Sequence, residues 1–207
     1  MRRFSGLAML LVLATPHVAT AGLTKARPLK TGQTASYGAA GDTTKGVNRS
    51  YRPFGNGVIK DQKTGLFWEV KSDDGSIHDA DNAYTWSTGD PWQANGTAFT
   101  DFLAALNTQP CFGGYCDWRL PTITELLTVV DFAKITPAVP AEFDTGCTAG
   151  CTVATCSCTR SYSSYWTSST NQAGPYVAWV VGFGDGIGEL VYKTESHFVR
   201  AVRGGTP

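Results

Sequence analysis

CFGGYCDWRLPTITELLTVVDF, Cys111 to Phe132, decides how this 207-residue chain is read. Within it Ile123, Leu126, Leu127 and Val130 recur at i, i+3, i+4 and i+7, which is one face of a helix. Thr122-Ile-Thr-Glu125 writes a capping box. The Thr122 hydroxyl can accept from the amide three residues on, and the Glu125 carboxylate can return to the Thr122 amide. Pro121 blocks extension backwards. Upstream, Phe112-Gly-Gly-Tyr115 is flexible enough to bring Cys111 and Cys116 within the ~5.5 Å Cα separation that a disulfide prefers, so these two are expected to pair. Arg119 carries a fork-shaped donor suited to a bidentate pair with Asp117 or Glu125, an anchoring role ahead of a ligand role. The stretch reads as a fold nucleus.

Working outward, TAFTDFLAALN predicts a second helix, because Phe99, Phe102, Leu103 and Leu106 repeat the same spacing. GNGVIKDQKTGLFWEV predicts a hairpin with its turn at Lys63-Thr64-Gly65 and a second strand from Leu66 to Val70. After Pro137 the helical period is lost. Four cysteines and many Thr and Ser then predict a disulfide-held loop. Runs at Tyr176 to Phe183, Glu189 to Lys193 and Phe198 to Arg203, divided by Gly-Asp-Gly and Thr-Glu-Ser, predict an antiparallel meander.

The ends and the composition set the compartment. Arg2 and Arg3 precede an apolar run from Leu7 to Ala14, and Ala19-Thr20-Ala21 offers a small-x-small cleavage site. Residues 1–21 are thus expected to be a secretory signal peptide. The run is too short for the ~20 residues of a membrane span, so no transmembrane segment is expected and the chain should be secreted, periplasmic or at the cell surface. Export makes the six cysteines candidates for three disulfides. Beyond Cys111 with Cys116, the other four admit three connectivities, of which the nested pairs Cys147 with Cys158 and Cys151 with Cys156 are the ones selected. Zinc at these four is the alternative, which the oxidising compartment disfavours. Without Arg2 and Arg3 the chain carries 15 basic and 17 acidic residues, a formal charge of −2. No basic run exists, which argues against nucleic acid as a partner. Residues 22–50 have almost no large apolar side chains and are read as an extended arm, and 51–207 as one domain.

TGLFWE at Thr64 to Glu69, DWRLPTITELLTVVDF at Asp117 to Phe132, YWTSS at Tyr165 to Ser169 and FVRAVRGG at Phe198 to Gly205 together resemble the Lcl C-terminal domain family of secreted bacterial proteins. LKTGQT at Leu29 to Thr34 is similar to the leader that often precedes that domain. The resemblance implies an α+β, C-type-lectin-like fold: two helices, a small twisted antiparallel sheet and long disulfide-held loops. It also implies a binding module, since the best-known members are adhesins for glycosaminoglycan-like or other surface glycans. The lectin calcium signature of Glu-Pro-Asn and Trp-Asn-Asp is absent.

Two groups of residues are candidates for chemistry. Asp73, Asp74, Asp79 and Asp81 crowd hard oxygen ligands around Gly75, as calcium requires, with a solvated acidic loop as the plain alternative. No other cofactor is expected. Trp86 and Trp92, in the Gly/Asp/Pro-rich segment STGDPWQANG, are expected to be exposed sugar-stacking rings, with Asn82, Gln93 and Asn95 reading hydroxyls. Trp68, Trp118 and Trp166 are expected in the core. Catalysis has little support: His78 and His197 are the only histidines beyond the leader, and no nucleophile elbow, metalloprotease motif or P-loop is present. The chain therefore reads as a carbohydrate-binding or adhesion module and not an enzyme. One alternative is a structural envelope or filament subunit that associates with itself through the arm. The other is an oxidoreductase like the formylglycine-generating enzymes, whose distantly related fold supplies the analogy.

Overall fold

Among the described residues, aromatic and β-branched runs broken by glycine turns give nine short strands, and two apolar stripes give two helices. The computed structural model describes residues 28–35, 38 and 45–205. The expected leader 1–21 and the arm positions 22–27, 36–37 and 39–44 lie outside the described residues.

Strands β1 (Tyr51–Pro53), β2 (Val58–Asp61) and β3 (Leu66–Glu69) form an antiparallel sheet with β9 (Val202–Gly204), in the order β1-β2-β3-β9. The predicted hairpin is β2–β3, with Gly65 at φ 77° in the turn, a conformation glycine adopts without cost. The second sheet contains β4 (Ala83–Thr85), β5 (Ser164–Asn171), β6 (Gly174–Gly182), β7 (Gly188–Tyr192) and β8 (Ser196–Phe198). Its order is β4-β8-β5-β6-β7. This corrects the expectation of one small antiparallel sheet. Among the described residues there are two sheets of four and five strands, and β5 pairs with β8 in parallel. The run Phe198 to Arg203 also proves to be two strands in different sheets, joined where the chain crosses between them at Val199–Ala201.

Helix α1 starts as a π-helix, Ala98–Leu103, and continues as an α-helix, Ala104–Asn107. It buries Phe102, Leu103 and Leu106 against Trp86, Trp118, Trp166, Ala178 and Val180. Helix α2, Ile123–Leu127, starts at a complete capping box. It is shorter than its stripe because the Thr128 hydroxyl turns back to the Glu125 carbonyl at 2.7 Å and Val129 and Val130 leave the helix to fill a second cluster with Leu126, Trp68, Phe143, Tyr165, Val181 and Phe183. Adjacent Val180 and Val181 belong to different clusters, so β6 is covered on both faces. That is why VAWVV is continuously apolar. Trp68, Trp118 and Trp166 are buried, as expected.

The segment Cys111 to Leu120 ties these parts together. Cys111 is bonded to Cys116 around a turn that needs Gly113 at φ 61°, where a Cβ would sit 2.7 Å from Val58. Asn107, at the end of α1, clamps Trp118 by donating to its carbonyl and accepting from its amide, both at 2.8 Å. Arg119 exchanges two backbone bonds of 2.9 Å with Val202 and grips Glu125 with both guanidinium nitrogens, at 2.8 and 2.7 Å. Asp117 instead takes Arg203, at 2.6 Å. The other cysteines are joined as Cys147–Cys158 and Cys151–Cys156, the nested arrangement.

At the sheet crossing Glu69, Lys71 and Arg200 form a buried charged cluster, with partly buried His78 at its edge. Glu69 accepts from Lys71 at 3.2 Å, lies 2.8 Å from His78 Nδ1, and accepts from the Ala201 amide at 2.9 Å. Arg200 donates to the carbonyls of Glu69 and Cys158. Burial raises the Glu69 carboxyl, but the Lys71 charge and the His78 bond outweigh it and hold the group below the ordinary range.

The described part of the arm folds back onto its own domain. Arg49 donates to the carbonyls of Thr31, Thr128 and Val130, Phe132 donates to Thr31 at 2.9 Å, and Leu29 bridges to Val47.

Candidate functional site

Trp92 sits in a loop that the sequence forces into an uncommon shape. Its φ is 64°, in the left-handed region that costs a non-glycine residue energy unless its surroundings hold it there. The hold comes from below. Buried Lys193 donates to the Trp92 carbonyl at 3.0 Å, and its ammonium lies 3.8 Å from the centre of the Trp86 ring. Burial pushes this lysine below its ordinary pKa. Asn95 accepts from the Ser87 hydroxyl and the Thr88 amide, closing the loop.

Above that base three aromatic rings meet. Trp92 stands edge-on to Tyr176 with centroids 6.3 Å apart, and Tyr176 stacks on Tyr192 at 5.8 Å and 25°. Tyr176 is 44% exposed and Tyr192 56%. Large flat apolar faces left in water beside hydrogen-bonding groups are what a ring-shaped polar ligand needs.

Trp86 is not part of this surface. It is 6% exposed, donates through Nε1 to the Thr167 carbonyl at 2.9 Å and meets Phe99 edge-on, so its expected exposure is corrected. The reason is tertiary: α1 and β5 cover a loop whose local composition reads as open. Gln93 is exposed beside Trp92, whereas the Asn95 side chain is spent on the loop itself. Asn82 lies elsewhere, donating to the Ser76 carbonyl at 2.7 Å. Tyr176 and Tyr192 complete the group that sequence reasoning only half found. The one local signal for Tyr192 is a bulky ring in a short strand that forms a sheet edge.

The acidic loop is organised around a cation of the chain's own. Arg160 grips Asp81 with two bonds of 2.6 and 2.8 Å and reaches Asp73 at 3.2 Å, while the Tyr162 hydroxyl donates to Asp81 at 2.6 Å. The Arg160 bonds hold the Asp81 carboxyl below its ordinary pKa. Asp79 is buried and accepts from the amides of Gly75 and Asp81. Asp73, Asp79 and Asp81 still offer oxygens within 4.8 Å of one another, whereas Asp74 stands apart, accepting from Ser72 and Ser76. The donor set fits a divalent ion in spacing but holds a guanidinium against two of its three carboxylates.

Among the described residues no cysteine is free, and no helix is long and apolar enough to cross a membrane. The Lcl C-terminal domain family model matches residues 57–203. None of the curated proteins compared with the chain matches it.

Proposed function

Because the chain belongs to the Lcl C-terminal domain family, we propose that it is an extracytoplasmic binding module for carbohydrate, with adhesion as its use. The C-type-lectin-like character of the fold is part of the same reading. The observation that supports it is the aromatic group of half-buried Trp92 with exposed Tyr176 and Tyr192, mounted on a braced loop and a sheet edge. Pyranose rings present C–H faces to such side chains, and Gln93 beside them can read a hydroxyl.

A glycan array identifies the ligand, and titration calorimetry then tests the surface. Replacing Trp92 or Tyr176 with Ala is expected to weaken binding by ~1 to 3 kcal/mol, the range for losing a central contact residue, while the melting temperature holds. Full affinity in both variants would sink this reading. Binding should also survive raised salt, since it does not rest on exposed lysines. In this reading Arg160 supplies the charge that calcium would otherwise bring to the acidic loop, so chelation should leave affinity unchanged. The binder reading gives all six cysteines a structural role, as three disulfides.

A second reading has its own observation. Ile135, Ile187 and Phe132 are 79%, 58% and 49% exposed, and loop 184–187 lies against loop 131–137 through the Thr136 to Gly184 bond. Such a patch suits self-association in an envelope assembly. Sedimentation velocity showing a monomer at high concentration would count against it.

A further inference from the structure

Between the docked arm and the domain lies a cleft of about 490 Å³, remote in composition from the aromatic surface. Its walls come from arm residues Lys30, Gly32 to Thr34 and Asn48–Arg49, from Tyr51, and from Asp131, Lys134 and Glu142 of the domain. The arm's approach is built into the sequence. Gly32 has φ 98°, and a Cβ there would fall 1.9 Å from Asp131 Oδ1 and 2.8 Å from Arg49 Nη1. Only glycine permits the arm to lie so close. The base is fixed as well. Arg49 is held by three carbonyls, Tyr51 donates to the Thr128 carbonyl at 3.1 Å, and Asp131 sits 3.8 Å from the guanidinium to balance it.

The charges around the rim are left over. Lys30, Lys134 and Glu142 have no ion-pair partner among the described residues, and the Gln33 amide has no side-chain hydrogen bond there. Two ammonium groups and one carboxylate without ion pairs among the described residues, around a single cleft, suit a ligand that carries both signs, with its carboxylate toward the lysines and its ammonium toward Glu142. A purely anionic ligand leaves Glu142 repelled, and a purely cationic one opposes both lysines. The volume suits an amino acid or a dipeptide. We propose that this cleft, completed by the chain's own arm, binds small zwitterions of the amino acid and short peptide class.

The test is calorimetry on the full chain with glycylglycine and larger dipeptides, beside N-acetylglycine, which lacks the ammonium, and glycinamide, which lacks the carboxylate. The expected result is that at least one dipeptide binds at least tenfold tighter than either singly charged analogue. Lys134→Glu and Glu142→Gln, both at the cleft rim, should each weaken it about tenfold while the melting temperature holds. Gly32→Val should abolish binding by displacing the arm, with the near-ultraviolet circular dichroism of the domain retained. Absence of heat with every dipeptide, or equal affinity for N-acetylglycine, would overturn the proposal. Trp92→Ala should leave dipeptide binding intact, which separates this site from the aromatic surface.

Discussion

At the residue scale the acidic loop turns on Arg160. Removing it by Arg160→Ala leaves Asp73, Asp79 and Asp81 clustered without their cation. The half-exposed pair itself contributes little, ~0.5 to 1 kcal/mol at most. The sharper outcome concerns calcium: the melting temperature of the native chain should not respond to it, whereas that of Arg160→Ala should rise, since three carboxylates then bind a hard ion to relieve their repulsion. Scanning calorimetry with and without calcium checks both statements. Acid behaviour follows the same bonds. Asp81 has its folded pKa depressed by Arg160, so its contribution is present above the ordinary carboxylate value of about 4 and fades as pH falls through the lowered folded value. Acid unfolding of Arg160→Ala should therefore lack that increment. The four aspartates were visible in the sequence. Arg160, 79 residues from Asp81, was not, because nothing local records which distant side chain folds over a loop.

At the element scale α2 depends on Glu125, which both closes the capping box and receives Arg119. Glu125→Ala removes the cap return and frees a guanidinium, for an expected loss of ~1 to 3 kcal/mol in urea unfolding. Arg119→Lys should recover the charge but not the two-point grip, and so fall between. This element was legible because its chemistry is local: cap, stripe and disulfide loop all lie between Cys111 and Val130. Strand β5 was not seen as a strand, although its YWTSS had been noticed. Its register breaks after Trp166 and its outer half is polar, which hides the period of two that marks a strand. Trp86 shows the same limit. Glycine, aspartate and proline around it describe the backbone's turns, and only α1 and β5 decide that the ring is covered. Trp86→Ala should accordingly unfold the domain by ~3 to 5 kcal/mol, against no stability change for Trp92→Ala, as thermal melts would show.

At the scale of the whole molecule the chain crosses from β8 to β9 between the two sheets, and there Glu69 is the carboxylate that meets Lys71 and His78. Glu69→Gln strands Lys71 in the interior, for an expected loss of ~3 to 5 kcal/mol, whereas exchanging Glu69 and Lys71 together for apolar residues should cost far less. Denaturant unfolding of the single and double variants separates the two. The count of sheets is not legible in the sequence, because Phe198 to Arg203 is one β-branched and aromatic run in sequence and two strands in space. The loop after Pro137 carries a different consequence. Cys147–Cys158 encloses Cys151–Cys156, and Thr152, Ala154 and Thr155 between the inner cysteines are exposed. A protease cutting there severs the backbone but frees neither end. The nicked molecule would run as intact on a gel until reduced, so this loop tolerates an attack that would split an unbridged one.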